Sequence, residues 1–110
     1  MIQVKITRSS GALLGFSYKG HADYADYGQD IVCAGVTAQL MMTYNGLDEI
    51  LGIPMSIDMD SDGGYLAFAI NSNDATDIEK AQVLMKTLKL GLEAIKQQYK
   101  KNITLKIEEV

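Results

Sequence analysis

Hydrophobic and polar positions alternate from the first residues of the chain: Ile2, Val4 and Ile6 against Gln3, Lys5 and Thr7. A period of two predicts a half-buried strand. Ser9-Ser10-Gly11 reads as a turn, and Leu14, Phe16 and Tyr18 alternate again up to Lys19, so the first two strands form a predicted hairpin. Across 20–29 the periodicity stops. Gly20 and Gly28 stand near the two ends of this stretch, which reads as a mobile loop with hinge-like ends. The pattern then becomes helical from Ile31, with Asp30 as the predicted cap and Val32, Val36, Leu40, Leu47 and Leu51 as the apolar stripe. Gly52 and Pro54 end it. Met55, Ile57 and Met59 alternate, Ser61-Asp62-Gly63-Gly64 turns the chain, and Leu66, Phe68 and Ile70 alternate once more. Asn71-Ser72-Asn73-Asp74 offers caps to a second helix striped by Ile78, Ala81, Met85, Leu88, Leu92, Ile95 and Tyr99. Ile103, Leu105 and Ile107 form a last strand. The order ββαββαβ predicts a two-layer α+β sandwich, antiparallel-rich, with both helices on one sheet face.

Composition narrows the class. The 110 residues are enough for one domain, taken as 1–110, and 47% hydrophobic with 22% charged residues is ordinary globular usage. Apolar runs are interrupted well before the roughly 18 positions a membrane helix needs, so no membrane partner is expected. Ten basic against fourteen acidic residues leave a net charge of −4, a poor surface for nucleic acid, and none is expected as a partner. The lysines that cluster in sequence (Lys86, Lys89, Lys96, Lys100, Lys101) read as the wet face of the second helix. A single cysteine, Cys33, forms no internal disulfide and fits a reducing, cytoplasmic compartment.

Cys33 and the single histidine, His21, are the whole inventory of conventional nucleophile and imidazole, twelve positions apart. A cysteine in the first turn of a helix meets free amides and the positive end of the dipole, which favour the thiolate and can hold an oxyanion. His21 can then serve as general base, with Asp30 orienting it. Two plainer readings stand beside this one: Cys33 as a small core hydrophobe and His21 as a solvated loop residue. One Cys, one His and scattered carboxylates lack metal-ligand spacing, so neither a metal nor another cofactor is expected. Asp58-Met59-Asp60-Ser61-Asp62-Gly63 imitates a calcium loop but has Ala69 where a bidentate Glu belongs, and it joins two strands rather than two helices. Tyr24 and Tyr27, with Met55 or Met59, can line a groove for an apolar side chain or can be ordinary packing.

The run Gly20-His21-Ala22, followed by Gly28-Gln29-Asp30-Ile31-Val32-Cys33-Ala34, resembles the ribosomal-processing cysteine protease family Prp of Firmicutes and related bacteria. The motif is specific, and the likeness in element order covers essentially the whole chain. Thr37 departs from the Ser that relatives often carry, and it keeps the hydroxyl. The resemblance implies a thiol endopeptidase that removes the N-terminal extension of large-subunit ribosomal protein twenty-seven, cutting after a phenylalanine. Cys33 then matches the nucleophile, His21 the general base and Asp30 the acidic residue upstream. It further implies a homodimer whose loop after the histidine stays mobile until the extension peptide binds. Two rivals remain at the level of sequence: a non-catalytic ribosome-assembly factor that binds the same basic extension, and a thiol redox sensor.

Overall fold

The computed structural model describes residues 1–20, 27–61 and 63–110, with the backbone alone for 27–30. Alternation over β1 (Ile2–Ser9) and β2 (Ala12–Lys19) builds an antiparallel hairpin. Its two-residue turn puts Ser10 at φ 50° and Gly11 at φ 84°. Positive φ at both central residues matches the twist of the flanking strands. β4 (Tyr65–Ile70) pairs antiparallel with β2, and β3 (Met55–Met59) pairs antiparallel with β4 as an edge strand. β5 (Ile103–Glu109) closes the other edge, parallel to β1, giving the order β3-β4-β2-β1-β5.

The registers align apolar residues in rows across all five strands. One row runs Met59, Leu66, Tyr18, Val4, Leu105; its neighbour runs Ile57, Phe68, Phe16, Ile6, Ile107. These rows face α1 (Tyr27–Asn45) and α2 (Ala75–Gln98), and the core between the layers includes Val32, Val36, Leu40, Met85, Leu88 and Leu92. The α+β order ββαββαβ and the helices on one sheet face are as the periodicity predicts. At the start of α2, Asp74 accepts a hydrogen bond from the Thr76 amide at 2.8 Å, the expected cap.

Three local expectations are corrected. In β2 the inward residue before Phe16 is Leu13, 3% exposed, and not Leu14. The register breaks between Thr7 and Arg8, which face Gly15 and Leu13, so Leu14 is the extra residue of a β-bulge and the alternation changes phase. Gln82 of α2 serves this bulge: its amide accepts from the Leu13 N–H at 2.8 Å and donates to the Leu13 carbonyl at 3.0 Å. At the far end of α1, Gly46–Ile50 widens into a π-helical turn, with the Leu51 N–H donating to the Gly46 carbonyl. The wider turn rotates Leu51 out to 36% exposure, and Ile53, 1% exposed, fills the core after it.

The third correction concerns the start of α1. The helix begins at Tyr27, so Gly28 lies inside it rather than at a loop hinge, and Asp30 is a first-turn residue rather than the cap. A single glycine costs a helix only about 1 kcal/mol, and an acidic residue anywhere in the first turn suits the dipole. Neither residue is a reason for the helix to stop.

Candidate active site

Two elements deliver the candidate residues. β2 ends at Lys19, and Gly20 follows it with its N–H donating to the Gly64 carbonyl at 3.0 Å. A Cβ at Gly20 would sit 2.8 Å from the Met1 carbonyl oxygen and 2.9 Å from Ile2 Cδ1. The strand end is therefore pressed against the start of β1, and glycine is needed for that close approach. His21 is the next residue; it and Tyr24 lie outside the described residues, as do the side chains of Tyr27 and Asp30.

α1 presents Cys33. Its thiol is free and half-buried, packed at the margin of the core and not sealed within it. A purely interior cysteine is thus excluded, and solvent reaches the residue. Cys33 is the seventh residue of α1, about 9 Å along the axis from the helix start at 1.5 Å per residue. The expectation that free first-turn amides and the dipole surround it is corrected, because both act within the first turn alone.

A polar chain joins this turn of α1 to the sheet. Thr37, one turn after Cys33, approaches the Cys33 carbonyl at 2.7 Å and the Tyr18 hydroxyl at 2.9 Å through its own hydroxyl. The Tyr18 hydroxyl in turn donates to the Gly63 carbonyl at 3.1 Å. With two hydroxyl protons for three close oxygen pairs, Tyr18 donates to the Gly63 carbonyl and Thr37 shares its proton between the Cys33 carbonyl and the Tyr18 oxygen. The chain ties the Cys33 turn to the end of β2, two residues before Gly20, and to the β3–β4 turn. Tyr18 is only 2% exposed. Sequence reading placed it as a core strand residue and missed this link; the one available signal was a hydroxyl at a position due to be buried, which must find a partner.

On the same side of the sheet, β3 carries the described half of the expected groove. Ile57 is 38% and Met59 55% exposed, while Met55 is half-buried. They continue the rows of Phe68 and Leu66 out to the sheet edge, and the Tyr44 ring lies 6.0 Å from that of Phe68. The arrangement offers a half-buried cysteine on a helix and, on the same side of the sheet, an apolar edge. No described helix is long and apolar enough to cross a membrane.

The family model described as cysteine protease Prp matches residues 1–104. The ribosomal processing cysteine protease Prp of Bacillus subtilis is 40% identical over 105 residues, 94% of each chain, and its Staphylococcus aureus namesake is 37% identical over 106 residues, 96% of this chain and 97% of that one. Among solved structures, a Streptococcus mutans protein superposes with a TM-score of 0.87 at 32% identity, covering 100% of this chain and 96% of the other. The S. aureus protease in complex with a substrate peptide gives 0.86 at 31% identity, covering 98% and 100%. The same protease with a covalently linked product peptide gives 0.82 at 32% identity, again covering 98% and 100%.

Proposed function

The chain belongs to the family of the cysteine protease Prp, and from that premise we propose that it is the ribosomal-processing endopeptidase of its host, with Cys33 as nucleophile and His21 as general base. Its substrate is the N-terminal extension of large-subunit ribosomal protein twenty-seven, cut after a phenylalanine. The enzyme acts in the cytoplasm as a homodimer. The observation that carries this reading is the half-buried, reachable Cys33 within a fold whose S. aureus relative holds a covalently linked product peptide.

His21 takes the Cys33 proton, and the thiolate attacks the scissile carbonyl carbon, forming the C–S bond. The tetrahedral intermediate collapses with cleavage of the C–N bond, and the imidazolium gives its proton to the departing amine. His21 then takes a proton from water. The hydroxide formed opens the thioester, and the thiol is restored. Asp30 lies one turn before Cys33 on α1, and its role is to orient the imidazole. The apolar edge made by Ile57 and Met59 receives the hydrophobic residues of the extension, and Tyr24 and Tyr27 take part in binding them.

A peptide spanning the extension, incubated with the purified protein and read by mass spectrometry, tests this. One cut after phenylalanine is expected from the native protein and none from Cys33→Ala or His21→Ala. Intact peptide with measurable binding would replace the protease reading with that of an assembly factor.

A further inference from the structure

The sheet face turned away from the helices carries lysines that the chain keeps far apart. In register across that face, Lys5 stands beside Lys106 on the parallel neighbour β5, and Lys19 stands beside Gln3. Like charges directly opposite across a ladder are destabilising, so the pair Lys5–Lys106 is not explained by folding. Lys5 has one weak partner, Glu108, at 3.8 Å with both side chains about half exposed. Among the described residues Lys19 and Lys106 have no ion pair. The three lysines surround a shallow cavity of about 380 Å³ whose wall is completed by Gln3, Ser17, Thr104 and Tyr65. A second cavity shares Lys19 and Tyr65 and continues to Gly20 and Gly64 at the strand ends. Three acidic residues share this surface: Glu108, which pairs with Lys5, Asp60, which lines the second cavity beside Lys19, and Asp58 on β3, beyond Ala67; none of them lines the first cavity.

We propose that this open face binds single-stranded RNA, with Lys5, Lys19 and Lys106 on the phosphates and the Tyr65 ring as a stacking surface. A cationic groove with a flat aromatic side chain is the general means of holding an unpaired strand. Gln3, Ser17 and Thr104 add polar groups for phosphate or sugar oxygens. A net charge of −4 disfavours nucleic acid only as an average over all faces; the lining of this first cavity holds three lysines and no carboxylate. A second copy is the poorer occupant, because a two-fold pairing of this surface sets lysines against lysines. The proposal goes beyond the cleavage chemistry and does not depend on it.

The probe is a fluorescent oligouridylate of about ten nucleotides, within the range one small domain covers, titrated at several salt concentrations from roughly 50 mM upward. Three neutralised phosphates predict a log–log salt slope of about −2. Lys5→Gln with Lys106→Gln is expected to weaken binding about tenfold at the lowest salt and to flatten the slope toward about −0.7. Lys100→Gln with Lys101→Gln, exposed at the far end of α2 and equal in charge change, should leave binding as it was. Cleavage of the free extension peptide should be equal in all these proteins, so a failure of the protease reading and a failure of this one are told apart. Absence of binding by the native protein, or equal loss in both double variants, would overturn the proposal. A sedimenting dimer that Lys5→Gln with Lys106→Gln makes tighter, by removing that repulsion, without RNA binding, would assign the face to a second copy instead.

Discussion

Tyr18 shows how much a single hydroxyl can settle. Its ring belongs to the inward row of β2, which period-two alternation predicts, but its oxygen links β2 to two other segments: the α1 turn of Cys33 through Thr37, and the β3–β4 turn through Gly63. Nothing in the local sequence distinguishes Tyr18 from a phenylalanine at that position, since the partners lie nineteen and forty-five residues away. Tyr18→Phe takes the hydroxyl from the Gly63 carbonyl and from Thr37, and a lost bond of this kind costs about 1 kcal/mol, or a Tm lower by roughly 4–8 °C for a chain near this length. Thr37→Val is expected to cost about the same, and the double variant less than the sum, because the two hydroxyls share one network. Thermal denaturation of the four proteins checks this; strict additivity would show that the hydroxyls act independently.

At the scale of elements, each departure from simple periodicity has an identified cause. Leu14 continues the alternation of Phe16 and Tyr18 in the sequence, yet Leu13 is the buried residue, because the bulge adds one position to β2 and shifts its phase. Leu13→Ala should therefore cost about 2–5 kcal/mol as a core truncation, and Leu14→Ala under about 1 kcal/mol as a change near the surface; urea midpoints in the reverse order would refute the bulge. Gln82→Met keeps the bulk but leaves the Leu13 N–H and carbonyl without their partners, with a cost of about 1–3 kcal/mol. A lower midpoint with an unchanged m-value is the expected signature. The π-helical turn after α1 acts in the same way on Leu51 and Ile53: one residue of extra winding decides which of the two is core.

At the scale of the whole molecule, the candidate site depends on where β2 stops. Gly20 is held by the Gly64 carbonyl and has no room for a Cβ beside Met1 and Ile2. Gly20→Ala should displace the backbone that leads into His21, and a misplacement near 1 Å can cost about a hundredfold in rate. Cleavage of the extension peptide is expected to fall at least about tenfold in kcat/KM while the helical circular dichroism signal stays native. Unchanged kcat/KM would mean that the strand end does not set the histidine's position.

Local rules made the element order legible: period two for five strands, three-four spacing for two helices, and Gly, Pro and Asp at their ends. The motif joining Gly20-His21-Ala22 to Cys33 was legible as well, since it is a matter of residue types and spacing. The bulged face of β2, the early start of α1 at Tyr27, the Tyr18–Thr37 bridge and the gathering of Lys5, Lys19 and Lys106 were decided only by tertiary structure. Each depends on which strands pair and in what register, and parallel pairing of β1 with β5 joins residues a hundred positions apart. No local pattern encodes a contact between such distant positions; only the burial of one shared core against both helices selects it.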